Sequence, residues 1–177
     1  ANDGISSIAN ADAALGEIGD TLTRMAELAE QAANGVFSVT QRSALADEFQ
    51  ALGSEIERIA VTTNFNGVVL LSGNTTMVLQ VGFDSGSTSQ ISYTGVAGTL
   101  NALGLAANNK SALTYSLNES TLEGGQSASR LALDAVNAAI GSLAATRGVL
   151  GAAESRLGVA ITNLTVAREN FAAAESQ

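Results

Sequence analysis

Apolar positions in the first part of the chain recur in alternating steps of three and four residues. One series spans about residues 4–34, and its central members are Leu15, Ile18, Leu22 and Met25. A second series lies between about Val39 and Thr62 and consists of Leu45, Phe49, Leu52, Ile56 and Ile59. This alternation is a heptad seam, so it predicts two amphipathic helices. Because Asn34-Gly35 favours a stop and the connection is short, we expect the helices to be antiparallel neighbours.

The last part of the chain carries the longest apolar repeat. A large side chain recurs every seven residues, at Val136, Leu143, Leu150, Leu157, Leu164 and Phe171. A neighbouring column holds small residues such as Ala139 and Ala153, which let two helix axes approach closely. A helix from about Gln126 to Gln177 would reach about 70 Å. A compact sphere of this chain has no room for such a helix, so we predict a rod.

The middle of the chain has a different pattern, in which β-branched residues and glycine dominate and alanine is absent. Asn66-Gly67 predicts a turn, followed by a short strand over Val68–Leu71. Two further segments predict a β-hairpin: Thr76–Gly82 and Gln90–Thr94, joined across Asp84-Ser85-Gly86.

These patterns together predict a mainly α fold with a small β region. We expect an elongated antiparallel helical bundle or coiled coil that carries a β-hairpin. Residues 1–177 would form a single rod-shaped domain. Its parts would be two N-terminal helices (1–63), a β-hairpin region (64–96), a loop (97–125) and a long C-terminal helix (126–177).

The composition excludes much chemistry. The 177 residues include no His, Cys or Pro, so thiolate nucleophiles, disulfides, His-based triads and zinc sites with His or Cys ligands are impossible. The net charge is −9 and the eight basic residues are scattered, which argues against nucleic acid as a partner. The longest apolar run, Val68 to Leu71, is far too short to cross a membrane. We therefore expect no enzyme, no cofactor, no metal site and no membrane partner.

Several short motifs resemble those of bacterial flagellin and stand in that family's order. They are Ala1–Ser6, Leu22–Ala29, Gln31–Gly35, Phe65–Gly67 with Leu70-Leu71, Gln80–Gly82, Arg147–Ala152 with Arg156-Leu157, Asn163-Leu164 and Glu169–Ser176. The likeness covers about residues 1–105 and 126–177. The segment between them, where the family usually inserts its outer domains, is short here, so the chain resembles a minimal flagellin core.

The resemblance implies a structural subunit of the extracellular filament that bacteria rotate for motility. Flagellins leave the cell through the flagellar secretion apparatus and polymerise at the distal tip. The implied partners are other flagellin subunits, an export chaperone and the filament cap protein. Because the heptad patterns run off both ends, we expect a core-domain fragment that lacks the terminal segments lining the filament channel. The hairpin near Thr76–Thr94 would lie at subunit contacts and help set alternative protofilament states.

The resemblance also implies a surface that is recognised by the host Toll-like receptor for flagellin. The family's receptor-contacting residues correspond to Arg24, Leu28 and Glu48 in this sequence. Arg24 and Leu28 are four residues apart and so share a helix face, and Glu48 would lie on the neighbouring helix. A second Arg of the family's site is replaced by Ala26. The same face would also contact the next subunit of a filament.

Two other functions fit the terminal helices. A junction protein between hook and filament shares them, but the motifs from Phe65 to Gly82 favour flagellin. A flagellin-like surface protein that binds polysaccharide is the other alternative. Its weakness is that this acidic chain has only 4% aromatic residues, whereas sugars favour aromatic stacking.

Overall fold

A computed structural model describes residues 2–73, 76–82 and 86–175 of the chain. Three helices and four short strands follow one another in the order α1 (Asn2–Ala33), α2 (Val39–Thr62), β1 (Asn64–Phe65), β2 (Val68–Val69), β3 (Met77–Gln80), β4 (Gln90–Tyr93) and α3 (Leu122–Glu175). This arrangement confirms the predicted fold class, which is mainly α with a small β region. Within the described part of the chain, none of the helices is long and apolar enough to cross a membrane.

Helices α1 and α3 form the body of the rod. They are antiparallel, since Asp12 near the start of α1 pairs with Arg147 far along α3, and Gly35 lies beside Gln126. Helix α3 has 54 residues, so it is about 80 Å long. Apolar side chains from both helices are buried along this contact, which is the packing that the heptad columns predict.

Helix α2 folds back along α1 after a five-residue connection. Its first turn is fixed by a capping box, in which the Gln41 backbone N–H donates to the Ser38 hydroxyl at 3.3 Å. In return, the Ser38 backbone N–H donates to the Gln41 side-chain oxygen at 3.0 Å. Two otherwise unpaired backbone donors are thereby satisfied, so the helix begins at Val39.

Two small antiparallel hairpins occupy the middle of the chain. Strands β1 and β2 are joined by Asn66 and Gly67, whose φ angles of 51° and 82° are the left-handed pair of a two-residue turn. Strands β3 and β4 pair from Met77 opposite Tyr93 to Gln80 opposite Gln90. The turn predicted at Asp84-Ser85 lies outside the described residues.

The predicted start of the last helix is wrong. We expected a loop up to residue 125 because Gly124-Gly125 favours irregular structure, whereas α3 begins at Leu122. Thr121 stabilises this first turn, because its hydroxyl accepts the Gly124 N–H at 3.1 Å and its carbonyl accepts the Gly125 N–H at 3.0 Å. Capping and packing therefore outweigh the low helix propensity of the two glycines.

A buried arginine explains why Gly125 is tolerated there. Arg42 is fully buried, and its Nη1 and Nη2 donate to the carbonyl oxygens of Ala32 at 2.6 Å and Phe37 at 3.1 Å. A Cβ on Gly125 would lie 2.9 Å from Arg42 Cδ, so no larger residue fits without movement. We call Ala32, Phe37, Arg42 and Gly125 the corner of the rod. Periodicity gave no indication of it.

The predicted seam residues are not all equally buried. Most are fully or almost fully buried, whereas Leu45 and Leu52 are partly buried at the edge of the core. Leu164 and Phe171 of the α3 column are the exceptions, because Leu164 is partly buried outside the core and Phe171 is 66% exposed. The antiparallel register places both beyond the first described residues of α1, and Leu164 there lines an open cavity together with Val81 and Ser89 of the hairpin region. The fully or almost fully buried set is Leu15, Ile18, Leu22, Met25, Phe49, Ile56, Ile59, Val136, Leu143, Leu150 and Leu157.

Candidate functional site

Arg24 of α1 and Glu48 of α2 meet on the surface of the rod. Arg24 Nε and Nη2 lie 2.9 and 2.8 Å from Glu48 Oε1, and Arg24 Nη1 lies 3.1 Å from Glu27 Oε2. The hydrogen bond to Glu48, followed by that to Glu27, raises the pKa of Arg24 above its ordinary value. Both side chains of the Arg24–Glu48 pair are nearly half exposed, so the pair is available to a partner.

Leu28 does not belong to this surface. Its side chain has 0% exposure and lies in the core with Met25 and Ala29. The signal was present in the sequence, because Leu28 stands three residues after Met25 and six after Leu22, on the buried side of the helix. The structure therefore brings Arg24 and Glu48 together and leaves Leu28 beneath them. Ala26 is half-buried beside the same core.

The exposed side of α1 and α2 is strongly acidic. Helix α1 carries six acidic side chains and one Arg, and α2 carries four acidic side chains and two Arg, of which Arg42 is buried. We call this surface the acidic face. Its side chains include Glu17, Asp20, Glu27 and Glu48. Such a face repels other acidic surfaces and attracts a surface that presents arginine.

The edge between α1 and α3 is closed by a bidentate ion pair. Arg147 Nε and Nη2 donate to Asp12 Oδ1 at 2.8 Å and Oδ2 at 3.0 Å. These hydrogen bonds lower the pKa of Asp12 and raise that of Arg147. Because both side chains are more than 40% exposed, solvent weakens the pair and its main role is to hold the register of the two helices.

A furrow runs between β4 and α3, and the sequence gave no indication of it. It contains three open cavities of about 430, 340 and 330 Å³. Arg156 lines two of them, beside the apolar side chains of Val149 and Val159. The furrow joins residues about 65 positions apart, so no local pattern could reveal it. Its lining is mixed, since the largest of the three cavities is bordered by Gln90, Ser155 and Asn163 as well as by apolar side chains.

Comparison with protein families places the first part of the chain. Residues 1–76 match the model of the bacterial flagellin N-terminal helical region. Flagellin B of Vibrio anguillarum is 40% identical over 105 residues, and phase 1 flagellin of Salmonella naestved is 43% identical over 91 residues. These alignments cover 59% and 51% of this chain but 28% and 18% of the two relatives. The chain thus spans less than a third of the length of these relatives.

Solved structures extend the likeness over the whole rod. The crystal structure of Bacillus cereus flagellin superposes with a TM-score of 0.74 at 27% identity, covering 98% of this chain and 92% of that one. The structure of FliC from Burkholderia pseudomallei has a TM-score of 0.65 at 18% identity, over 86% of this chain and 99% of that one. The second likeness supports the fold alone, whereas the first is a likeness in both sequence and fold over nearly the whole of both chains.

Proposed function

The chain has the sequence motifs and the fold of bacterial flagellin, and we propose that it is a structural subunit of the flagellar filament. The observation that carries this proposal is the match to Bacillus cereus flagellin over nearly the full length of both chains. The N-terminal family match and the Vibrio and Salmonella relatives support it independently. A filament of such subunits would lie outside the cell and act as the helical propeller for motility.

The proposed mechanism is mechanical. Two long antiparallel helices with a shared buried seam resist bending better than either helix alone, and α2 braces one side of them. Exposed faces of the rod then supply lateral and axial contacts to neighbouring subunits. Strand β3 is open along one edge, with Val78 half-exposed, and we propose that this hairpin lies at such a contact.

The proposal is tested by growing filaments from the natural protein in its full length. Sheared filament seeds are incubated with the monomer, and elongation is followed by electron microscopy beside a control flagellin. Long filaments are the expected result. A folded monomer that fails to elongate seeds under conditions that support the control would contradict the filament role. It would favour the hook–filament junction or the surface-binding function instead.

Export would require two further partners, an export chaperone and the filament cap protein. The chaperone and the cap protein both follow from the proposed family role. None of the surfaces described above is assigned to either of them. Deleting the chaperone gene in the source organism should lower secreted protein without changing its fold. Unchanged secretion would remove the chaperone from the proposal.

A second proposed function is recognition by the host Toll-like receptor for flagellin. The exposed Arg24–Glu48 pair favours it, because arginine is enriched among interface hot spots and this one is accessible to a partner. Leu28 would contribute only by supporting this surface from below. The Arg24→Ala and Glu48→Ala variants should lower signalling in a receptor reporter cell. The matched control is Arg58→Ala with Glu55→Ala, an exposed ion pair elsewhere on α2. Equal signalling by all variants would sink the receptor role.

A further inference from the structure

The tripeptide Asn-Gly-Val occurs at two places in the chain, at residues 34–36 and 66–68. An asparagine followed by glycine is prone to deamidation, because glycine has no side chain to shield its own backbone nitrogen. That nitrogen can attack the carbonyl carbon of the asparagine side chain and close a five-membered succinimide ring. Both asparagines are exposed to water. The local sequence and the exposure therefore assign the same reactivity to Asn34 and Asn66, and only the backbone conformation distinguishes them.

The turn between β1 and β2 holds Asn66 in an unreactive conformation. Asn66 and Gly67 have φ angles of 51° and 82°, the left-handed pair of a two-residue turn. In such a turn the glycine nitrogen is rotated almost opposite to the asparagine Cβ about the Cα–C bond, whereas ring closure requires both on the same side. Reaching the reactive arrangement would break the pairing of Phe65 with Val68. The hairpin therefore protects Asn66.

Asn34 is under neither of these restraints. It lies in the five-residue connection between α1 and α2, which pairs with no strand of the described structure. Its φ angle is not left-handed, since the described non-glycine residues with positive φ are Asn66 and Asn109. The Gly35 N–H forms no hydrogen bond with any described residue, and Gly35 is exposed. The Gly35 nitrogen is therefore available, and it can rotate toward the Asn34 side chain without breaking a hairpin.

We propose that Asn34 is a site of spontaneous deamidation in the folded protein and that Asn66 is protected. The Gly35 nitrogen loses its proton to hydroxide and forms a bond to Asn34 Cγ. The Cγ–Nδ2 bond breaks, and the nitrogen takes a proton from water and leaves as ammonia. Water then adds to one of the two ring carbonyl carbons and opens the succinimide to aspartate or isoaspartate at position 34. The reaction consumes water alone, and it does not depend on the proposed filament role.

Deamidation at this position alters the corner of the rod. Isoaspartate carries the main chain through the former side-chain carbon, so the backbone gains one methylene group. The added group lies between Ala32 and Phe37, whose carbonyl oxygens accept hydrogen bonds from Arg42 at 2.6 and 3.1 Å. Either product also lacks the Asn34 Nδ2 group, which donates to the Glu30 carbonyl oxygen at 3.3 Å. Lengthening the segment changes the spacing of the two acceptors of Arg42, so the corner weakens as the protein ages.

Peptide mapping tests the proposal, with the second tripeptide as an internal control. The full-length natural protein is incubated in warm, mildly alkaline buffer, once folded and once in urea. Trypsin cleaves after Arg24, Arg42 and Arg58, so the two tripeptides fall on different peptides for mass spectrometry. In the folded protein, deamidation should be about tenfold faster at position 34 than at position 66, because only position 66 must first break hairpin hydrogen bonds. In urea the two rates should be similar. Equal rates in the folded protein, or a faster rate at position 66, would overturn the proposal.

A glycine substitution provides a second test. In Gly35→Ala the new Cβ would shield the nucleophilic nitrogen, and it would meet the end of the flexible Gln126 side chain at 2.8 Å. Deamidation at position 34 should become about tenfold slower. Gly16→Ala, whose Cβ would lie in open space, is the matched control and should age like the wild type. The aged wild-type fraction, which carries one more negative charge and is separable by ion exchange, should unfold about 2–4 °C lower. Ageing of Gly35→Ala at the wild-type rate, or an unchanged unfolding temperature of the aged fraction, would contradict the proposal.

Discussion

Helix α3 contains glycine in two opposite settings, packed at the corner of the rod and exposed near the middle of the helix. At the corner, Gly125 is required because Arg42 lies against it, 2.9 Å from where a Cβ would be. In the middle of the helix, a Cβ at Gly148 would meet no atom of the described residues within 4 Å beyond its own turn of helix. The space beside Gly125 is thus filled by a side chain of the same copy, whereas no described side chain restricts the residue at position 148. The comparison separates a glycine that the packing of the chain requires from one that it does not.

The largest expected effect contrasts two leucines one heptad apart on α3. Leu157→Ala should lower the free energy of unfolding by about 2–5 kcal/mol, because Leu157 is fully buried and its loss leaves a cavity. Leu164→Ala should cost about 1 kcal/mol or less, because Leu164 is only partly buried and lies outside the core. Urea unfolding of the 177-residue chain measures both. Equal losses would mean that the core extends further along α3 than the described packing.

The second prediction tests whether the same substitution has opposite effects on stability at Gly125 and at Gly148. Gly125→Ala should lower the free energy of unfolding by about 1–3 kcal/mol, because the new methyl group displaces Arg42 from its buried hydrogen bonds. Gly148→Ala should raise it by up to about 1 kcal/mol, because alanine is the better helix former and nothing is displaced. Thermal unfolding followed by circular dichroism distinguishes the two. A stabilising Gly125→Ala would show that the corner is looser than described.

The third prediction concerns the cap that leads into the corner. Ser38→Ala should cost about 1 kcal/mol, because it removes the acceptor for the Gln41 N–H at the start of α2. Thr40→Ala is the matched control, since Thr40 is exposed in the same first turn but does not belong to the capping box, which consists of Ser38 and Gln41. Hydrogen exchange at the first turn of α2 should rise in the first variant alone. A similar rise in the Thr40 variant would assign the effect to helix propensity.

The smallest expected effect is electrostatic and lies along the edge between α1 and α3. Because Arg147 lowers the pKa of Asp12 in the folded chain, the pair contributes stability above the unfolded pKa of Asp12 and loses it as the pH falls through the folded value. The pair is exposed, so the contribution should be below about 1 kcal/mol. Wild type and Asp12→Asn should therefore differ at neutral pH and converge in acid. A difference that persists in acid would mean that packing, not charge, holds Asp12.

Much of the fold was predictable because the heptad seams of α1 and α2, with the residues that flank them, indicate where these helices begin or end. Helix α2 begins and ends at the predicted Val39 and Thr62, and α1 ends at Ala33, just before Asn34-Gly35. The start of α3 was not predictable, because Gly124-Gly125 opposes a helix and Arg42, eighty residues away, decides the outcome. Local propensity has no access to such a distant contact.

The candidate surfaces were predictable only in part. Arg24 and Glu48 meet because both helices are regular and antiparallel, which the seams imply. Leu28 was placed on the surface by family likeness, although its spacing from Met25 places it in the core. The furrow beside β4 depends on how the hairpin lies against α3, and nothing in either segment specifies that placement. Surfaces that arise between distant elements require the three-dimensional arrangement.

Because α3 is one unbroken helix, its buried column and its exposed surface keep a fixed angle to each other along its whole length. Inserting a single residue between Leu143 and Leu150 would rotate all later residues of α3 by about 100° around the helix axis. The buried column and the exposed surface of this later part would then both point in new directions. Inserting seven residues would keep both surfaces within about 20° of their original directions and would shift the far end of the helix by about 10 Å. Natural variation in the length of α3 is therefore expected in steps of seven residues, because only such steps keep the buried column facing α1.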